Sequence, residues 1–441
     1  MKQKPPAPWF NIANPAIRTD KTVSVIGAGI AGCTVAAALH RRGFQVTVID
    51  RHQQAGQEAS GNAQGIVYPK LSARDDLLPR VNLAAIRAAS HYYQPFWQAG
   101  LGRQCGVLVV PENQKARDDF LLIGQRFADQ PQLVEAVHGE SIEALSGRAL
   151  QAQRALYFPT LGWLPPALVC QQLLALNGIP LLQADIASLQ YSDSENSWQL
   201  RDREQQSVIN SETVVIASAY DCKQFEQTSY LPLRKLRGQI TQLPATAESR
   251  KIKTVICGEG YITPADNNDN HSCGATYNKD LFTTELRDQD HRANLQQMAA
   301  TDAGLAAVLG QPDSSQLPGR ANFRCTTPDY LPIAGPVPDA AAMLSDYAML
   351  RRDAKALITT SGRYLPNLFV NCGMGSRGLS YAPLTAELLA NQIAGQMSAL
   401  AQGEEQYKQE QPKQQKKQQE ELCQAMHPAR FLIRDLKRNR I

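Results

Sequence analysis

Three glycines and one aspartate have the spacing of a dinucleotide-binding site. Gly27, Gly29 and Gly32 follow the β-branched run Thr22–Ile26 and open an alanine-rich stretch that favours a helix. The first glycine permits a tight turn, the second lets the backbone approach a pyrophosphate, and the third lets helix and strand pack closely. Asp50 ends a second buried run, where its carboxylate can accept hydrogen bonds from a ribose diol.

Two further glycine-rich segments favour FAD over NAD. Segment 58–65, Glu-Ala-Ser-Gly-Asn-Ala-Gln-Gly, has small and amide residues suited to a loop against an isoalloxazine ring. Segment 371–378, Asn-Cys-Gly-Met-Gly-Ser-Arg-Gly, is a second strand-to-helix turn; an extended flavin held at both ends uses two such turns. Taken alone, either segment could be an ordinary loop. The predicted FAD-binding residues are Gly27, Ala28, Gly29, Ile30, Ala31, Gly32, Asp50, Arg51, Ser60, Gly61, Asn62, Gln64, Gly65, Gly373, Gly375, Ser376, Arg377 and Gly378.

The bulk composition is that of a globular protein with two or three domain-sized units. The chain has 441 residues, 43% hydrophobic and 20% charged, and no apolar run of the length that spans a bilayer. Residues 1–21 carry four prolines and read as an arm or linker. Nine cysteines without CxxC pairs predict neither a disulfide framework nor a metal site. We therefore expect a cytoplasmic protein without a membrane partner.

The net charge of +4 is concentrated at the C-terminus. Residues 402–421 are rich in Gln, Lys and Glu and predict a solvated helix or a disordered tether. Residues 422–441 form a basic tail whose apolar residues can dock back on the body. A basic terminus is typical of phosphate contact, with a merely solubilising tail as the alternative. The candidate phosphate ligands are Arg430, Arg434, Lys437, Arg438 and Arg440.

The glycine-rich segments, in this order, resemble the D-amino acid oxidase-like family, which includes glycine and sarcosine oxidases. Segment 324–335, Arg-Cys-Thr-Thr-Pro-Asp-Tyr-Leu-Pro-Ile-Ala-Gly, resembles that family's late Arg…Asp…Pro-Ile-Gly segment. Within the family, the sequence is most similar to the oxidoreductase half of bifunctional enzymes that make 5-methylaminomethyl-2-thiouridine in tRNA. The motifs are Ala-Ser-Gly-Asn at 59–62, Tyr-Pro-Lys-Leu at 68–71, Leu-Arg-Gly-Gln at 236–239, Gly-Ser-Arg-Gly at 375–378 and His-Pro-Ala-Arg-Phe at 427–431.

The resemblance implies an α/β fold, in which a Rossmann-type FAD-binding domain is interleaved with an α+β substrate domain that carries a mixed or antiparallel sheet. We expect the FAD-binding domain to be discontinuous. The predicted ranges are 22–90, 150–225 and 326–400 for the FAD-binding domain, and 91–149 and 226–325 for the substrate domain.

The same resemblance implies a reaction. The substrate would be the carboxymethylaminomethyl group of a wobble uridine in tRNA; its C–N bond would be oxidised, and water would release glyoxylate and leave the 5-aminomethyl base. A methyltransferase domain or protein would act next, and the 21 residues before the first strand are too few to supply one. Two alternatives stay open: a free-standing oxidase of glycine or sarcosine type, and a flavin-bound tRNA-binding protein without turnover.

Four residues are candidates for catalysis on the strength of the resemblance. Arg324 lies five residues before Asp329, where glycine oxidase-like relatives carry a carboxylate-binding arginine; a structural ion pair with Asp329 is the alternative. Tyr261 resembles the family's substrate-side tyrosine, although a packed aromatic is nearly as well supported. Lys70 and Arg377 would lie near the flavin ring, where a cation can stabilise negative charge on it.

We predict that FAD is held non-covalently. Some relatives attach flavin through a cysteine six residues before the equivalent of Pro328, and here that position is Asn322, with Cys325 out of register. Acid precipitation should therefore leave the flavin absorbance in the supernatant. Yellow colour that stays with the protein pellet after washing would contradict this prediction.

Overall fold

The computed structural model describes residues 7–11, 21–310, 312–395 and 412–441. The strands are β1 (Thr22–Ile26), β2 (Gln45–Asp50), β3 (Gly65–Ile66), β4 (Val107–Val109), β5 (Glu135–His138), β6 (Arg154–Phe158), β7 (Trp163–Leu164), β8 (Leu181–Gln183), β9 (Ser188–Ser192), β10 (Ser197–Arg201), β11 (Ser207–Ser211), β12 (Thr213–Ile216), β13 (Arg234–Pro244), β14 (Val255–Cys257), β15 (Tyr261–Ile262), β16 (Asn270–Gly274), β17 (Gly319–Thr326), β18 (Ile333–Pro338) and β19 (Tyr364–Cys372).

Twelve α-helices and several short 3-10 helices are present in those ranges. The α-helices are α1 (Ile30–His40), α2 (Leu77–Tyr92), α3 (Gln94–Gln98), α4 (Gln114–Arg126), α5 (Glu140–Ser146), α6 (Pro166–Leu176), α7 (Asp288–Thr301), α8 (Ala303–Val308), α9 (Ala340–Asp346), α10 (Gly378–Ile393), α11 (Pro412–Met426) and α12 (Ala429–Lys437). The 3-10 helices are Pro8–Phe10, Ala219–Gln224, Glu226–Thr228, Ser249–Lys251, Ser314–Gln316 and Ala348–Arg351. None of the helices in this part of the chain is both long and apolar enough to cross a bilayer.

A six-stranded sheet carries the dinucleotide fingerprint. Its order is β18-β19-β12-β1-β2-β8, and all neighbours are parallel except β18, which runs antiparallel to β19. Helix α1 packs between this sheet and helices α6 and α10. Ten of the eleven residues of α1 are buried, so the helix is enclosed by its neighbours along nearly its whole length. The end of β1 and the start of α1 are thereby held in one position.

The second large element of the fold is a mixed sheet. Its eight strands run in the order β17-β13-β16-β15-β14-β4-β6-β5, with antiparallel pairs throughout except the parallel pair β14 and β4. The two sheets confirm the predicted α/β architecture with a mixed second sheet. The domain ranges stay a prediction. The strands of the two sheets fall in the ranges predicted for the two domains, with one exception. Strand β6 (Arg154–Phe158) lies in range 150–225 of the predicted FAD-binding domain but pairs with β4 and β5 of the larger sheet.

Two predicted elements differ from those observed. Apolar positions at helical spacing predict one helix over residues 77–98, but the helix is divided at Tyr93, because Pro95 cannot donate the backbone hydrogen bond that a continuous helix needs. Alternation over residues 255–264 predicts one strand, but the structure has two short antiparallel strands, β14 and β15, with the turn Gly258-Glu259-Gly260 between them. In both places a proline or a pair of glycines interrupts the element, and the pattern of apolar residues alone does not show the interruption.

The C-terminal helix α12 docks on the body of the protein, as its apolar residues predicted. Its buried side chains Leu432, Ile433 and Leu436 pack against α9 and the 3-10 helix Ala348–Arg351. Phe431 belongs instead to the core cluster that contains side chains of β18 and β19. Residues 402–411 of the predicted tether lie outside the described residues, and residues 412–426 are helical.

The His-Pro-Ala-Arg-Phe motif, at the start of α12, attaches this helix to the segment before β18. Arg430 donates two hydrogen bonds to the carboxylate of Asp329, at 2.9 and 3.1 Å, and one to the carbonyl of Leu331. Burial opposes ionisation of Asp329, but these bonds from Arg430 hold the pKa of its carboxyl below the usual value. Burial and the neighbouring Arg430 lower the pKa of His427 to about 3, so the neutral ring accepts a hydrogen bond from the Ala429 amide.

Candidate active site

A large cavity, of about 770 Å³, lies where the carboxyl ends of β1 and β2 meet β13 and β17. This volume is in the range of pockets that hold a cofactor together with a small ligand. Most predicted FAD-binding residues line it, together with Lys70, Tyr261 and Arg324. The predicted residues that do not line it are Ala28, Gly32 and Gly61.

The first glycine turn forms one end of the cavity. Gly27 has φ +108°, and a Cβ atom there would lie 2.7 Å from the carbonyl oxygen of Ala217 on the neighbouring strand. A Cβ atom on Gly32 would lie 1.8 Å from the carbonyl oxygen of Gly27. No side chain fits either position, so the chain turns directly into α1, and Gly29, Ile30 and Ala31 at the start of the helix line the cavity. The helix start favours an anion there.

Asp50 closes the same end. One carboxylate oxygen accepts a hydrogen bond from the Ala28 amide at 2.7 Å, and the other accepts one from the His52 amide at 2.9 Å. These bonds fix the carboxylate at the cavity wall, where its remaining lone pairs can accept from a ribose. Arg51 beside it is paired with Asp221 at 2.6 Å.

The loop 58–65 lies against both sheets. Ser60 accepts a hydrogen bond from the Ile30 amide at 3.0 Å, which ties the loop to the start of α1. Gln64 is buried and donates to the Pro264 carbonyl while it accepts from the Thr263 hydroxyl. Arg320 on β17 donates to the carbonyl of Glu58 at 2.7 Å. The loop is therefore held by both the dinucleotide sheet and the larger sheet.

The second glycine turn meets the first one in space. The Gly375 amide donates to the Cys325 carbonyl at 2.7 Å, and a Cβ on Gly378 would lie 3.2 Å from Ile30. Asn371 donates to the Ala31 carbonyl, whereas its buried side-chain oxygen has no partner among the described residues. That oxygen is available to a ligand in the cavity. These features suit FAD: glycine turns at both ends, a helix start, the fixed carboxylate of Asp50 and the unpartnered amide oxygen of Asn371.

Arg324 projects into the cavity from β17 and is not paired with Asp329, which is engaged by Arg430. Its Nη1 donates to the Thr276 carbonyl at 3.0 Å, and its Cζ lies 4.6 Å from the centre of the Tyr277 ring. Among the described residues, no carboxylate lies within ion-pair distance of Arg324. The guanidinium therefore retains donors for a carboxylate ligand.

Two phenols and two acids share the substrate side of the cavity. Burial raises the pKa of Tyr261 well above its usual value, against the effect of the nearby Arg324, and burial likewise raises the pKa of Tyr68. Both phenols stay protonated at neutral pH and can donate hydrogen bonds. Partial burial and the neighbouring Glu259 raise the pKa of Glu112, and Lys70 opposes that shift.

Arg377 is held at the opposite wall. Its Nη1 donates to Tyr381 at 2.8 Å and to Asn82 at 3.2 Å. The Tyr381 hydroxyl donates in turn to the Asn82 oxygen at 2.6 Å. Lys70 is exposed at the cavity wall and Arg377 is half-buried, so the structure places these two predicted cations in different surroundings.

Several cavity residues were missed by the sequence reasoning. They are Tyr68, Glu112, Lys235, Glu259, Tyr277, Phe323 and Asn371. The glycines that flank Glu259 are a turn signal that could have pointed to it. Tyr68 and Asn371 stand in two of the motifs quoted above, at 68–71 and 371–378, although neither was predicted as a site residue. Glu112, Lys235, Tyr277 and Phe323 lie on strands and loops brought together only by the fold, so their spacing along the chain carries no signal.

The predicted phosphate ligands lie elsewhere, on α12 and the residues after it. Arg430 was predicted to contact phosphate, but its side chain binds Asp329 and is only 11% exposed. Arg434 is paired with Asp435, and the Lys437 ammonium lies 4.6 Å from the Trp9 ring centre. Lys437, Arg438 and Arg440 are exposed.

Fold and cavity together define a flavoenzyme. The family model described as FAD dependent oxidoreductase matches residues 22–392, and the chain belongs to this family. The cofactor that the cavity accommodates is FAD.

Curated relatives narrow the comparison to one kind of protein. The chain is similar to the tRNA 5-methylaminomethyl-2-thiouridine biosynthesis bifunctional protein MnmC of Pseudomonas putida (strain GB-1), with 38% identity over 99% of this chain and 63% of that protein. The protein of the same name from Pseudomonas aeruginosa (strain PAO1) is 36% identical over 99% of this chain and 64% of its own length. The chain thus spans about 63% of the length of these relatives.

Solved structures share the fold. Glycine oxidase from Geobacillus kaustophilus superposes with a TM-score of 0.65 at 19% identity, over 86% of this chain and 95% of that one. L-proline dehydrogenase from P. horikoshii gives 0.67 at 16% identity, over 94% and 98% of the two chains.

Replacing Gly27 with alanine should abolish FAD retention. The new Cβ would meet the Ala217 carbonyl and would require a backbone conformation that alanine rarely adopts, at a cost of about 1–3 kcal/mol for the conformation alone. Gly100→Ala is the matched control, because Gly100 also has positive φ (+82°) but open space around it. The measurement is the ratio of absorbance at 450 nm to that at 280 nm after gel filtration. Equal flavin content in the two variants would place the cofactor elsewhere.

Proposed function

We propose that this protein uses FAD to oxidise the carboxymethylaminomethyl group of a wobble uridine in tRNA, which releases glyoxylate and leaves the 5-aminomethyl-(2-thio)uridine. The observation that carries the proposal is an FAD cradle in the same cavity as Arg324, an arginine that has no carboxylate partner in the part of the chain that the structure describes. The similarity to the tRNA-modifying relatives supports the choice of substrate. The relatives are bifunctional by name, and we propose that a methyltransferase, in the same protein or separate, acts on the product.

The cavity residues have distinct parts in this proposal. Bound FAD supplies the acceptor for the hydride that leaves the carbon beside the amine nitrogen. Arg324 binds the carboxylate of the glycine-like arm with two parallel donors and thereby sets the position of that carbon. Tyr261, whose phenol is protonated at neutral pH, donates a hydrogen bond on the same side. Lys70 and Arg377 add positive charge at two walls of the cavity.

One experiment tests both the substrate and the anchor. The protein is incubated with tRNA that carries the carboxymethylaminomethyl group, and the nucleosides are then analysed by mass spectrometry for its loss. We expect conversion by the wild type. Arg324→Met should raise KM about 10- to 150-fold, which corresponds to the roughly 1.5–3 kcal/mol of hydrogen bonds to a charged group. The control is Arg203→Met, which removes an exposed arginine far from the cavity.

The competing function is oxidation of a free small amine. Glycine oxidase shares the fold, and Arg324 could bind a free amino acid equally well. Peroxide formed from glycine or sarcosine, without any change in the tRNA nucleosides, would replace the tRNA proposal by this one. RNA binding without flavin reduction by either substrate would instead indicate a non-catalytic tRNA-binding protein.

The exposed tail cations are proposed to contact tRNA phosphates. Deletion of α12 is an unsuitable test, because its apolar residues belong to the core. The double variant Arg438→Gln/Arg440→Gln should reduce the slope of log Kd against log salt by about 1.5, since each phosphate contact contributes roughly 0.7–0.9. Lys115→Gln/Arg117→Gln on α4 is the control with the same loss of charge. Equal slopes in both variants would make the tail a solubilising one.

A further inference from the structure

The segment 276–287, between β16 and α7, exposes three large apolar side chains beside the cavity. Tyr277 is 61% exposed, Phe282 70% and Leu286 46%. Tyr277 and Thr284, on either side of Phe282 in the chain, line the cavity. An apolar group of this kind at the entrance to a site is typical of a contact surface for a ligand or partner. We call this segment the entrance loop.

The entrance loop is held by buried polar groups, not by these three side chains. Arg237 on β13 has a fully buried guanidinium that donates to the carbonyls of Thr283 and Glu285, at 2.7 and 2.6 Å. The same guanidinium is paired with Asp290 at 2.6 Å. Gln239, two residues further along the strand, accepts from the Arg287 amide and donates to its carbonyl. Arg237 and Gln239 belong to the Leu-Arg-Gly-Gln motif.

The loop is joined to the proposed carboxylate anchor at its other end. Arg324 donates to the Thr276 carbonyl and lies against the Tyr277 ring. Arg237 thus fixes one part of the loop, and Arg324 fixes the other. Side chains at the entrance are consequently held at a set position relative to the group that would bind the substrate carboxylate.

We propose that the entrance loop binds a nucleobase next to the target uridine, with Phe282 stacking on that base and Arg237 acting as a positioning residue. This inference rests on the proposed function and names the part of the tRNA that the site recognises beyond the reacting group. A free amino acid would be enclosed by the cavity and would leave Phe282 without a partner.

The charge of the loop favours a base over the phosphate backbone. Lys279 and Arg287 are balanced by Asp280 and Glu285, so residues 277–287 carry no net charge. A backbone-binding surface would carry excess positive charge, whereas stacking needs only a flat apolar face. Every base has such a face, and single-stranded loops of RNA present unstacked bases to proteins.

The test compares three variants in their affinity for an anticodon stem–loop RNA, measured by fluorescence anisotropy. Phe282→Ala should weaken binding about 5- to 150-fold, the range reported for loss of one base–aromatic stack. Phe282→Trp should restore it, because indole also stacks. Leu357→Ala, at a position 89% exposed on another segment, is the control for loss of an exposed apolar side chain.

Two further measurements separate this proposal from its alternatives. The KM for tRNA should rise in Phe282→Ala, whereas turnover of the free 5-carboxymethylaminomethyluridine nucleoside should not change, because the nucleoside has no neighbouring base. The salt slope of RNA binding should also stay unchanged. Arg237→Lys keeps the charge but not the paired donors, and should raise the KM for tRNA with unchanged flavin content.

The outcomes are distinguishable from failure of the proposed function. If the wild type converts tRNA but Phe282→Ala binds the stem–loop as the wild type does, only the entrance-loop proposal is overturned. If the wild type neither binds nor converts RNA, both proposals are overturned. The wild type and Phe282→Ala are also compared by gel filtration. If the wild type is a dimer and Phe282→Ala is a monomer with unchanged RNA affinity, the loop is a protein interface and the base contact is overturned.

Discussion

The contact between Gly32 and the Gly27 carbonyl is the constraint on which the site depends. Because no side chain separates them, α1 begins directly at the turn that leaves β1, and its first residues line the cavity. Every other part of the cofactor site is attached to this junction. Asp50 binds the Ala28 amide, Ser60 binds the Ile30 amide, and Asn371 binds the Ala31 carbonyl. Segments distant in the chain are thus brought together by hydrogen bonds to one short turn.

The larger sheet adds the substrate side through β13 and β17. Three arginines on these strands serve different purposes: Arg320 holds the loop 58–65, Arg324 faces the cavity, and Arg237 holds the entrance loop. The three guanidiniums are chemically alike, and only their surroundings distinguish them. One that has carbonyl and carboxylate partners inside the protein is structural, and one that retains free donors at the cavity can bind a ligand.

The C-terminal motif shows the same distinction. Arg430 is part of a basic run in sequence, yet its guanidinium binds Asp329 and supports the docking of α12. This pair also bears on the active site. Arg324 could have been an ion-pair partner of Asp329 instead of a ligand-binding residue, but Asp329 is bound by Arg430. A segment that is typical of nucleic-acid contact therefore has a structural role at one position and exposed cations at others.

The sequence by itself determined the fold class and the cofactor, through the glycine-rich motifs and the family that they resemble. It also predicted most of the turn residues that line the cavity, because glycine spacing reports local backbone geometry directly. Residues 22–50 form a strand, a turn, a helix and a second strand within one continuous segment, so their pattern is complete in the chain. The tertiary structure alone decided which arginine faces the cavity, which acid pairs with which cation, and that Tyr277, Glu259 and Lys235 line the site. These contacts join residues far apart in the chain, 101 positions for Arg430 and Asp329 and 170 for Arg51 and Asp221. They depend on sheet order and burial, which spacing along the chain does not encode.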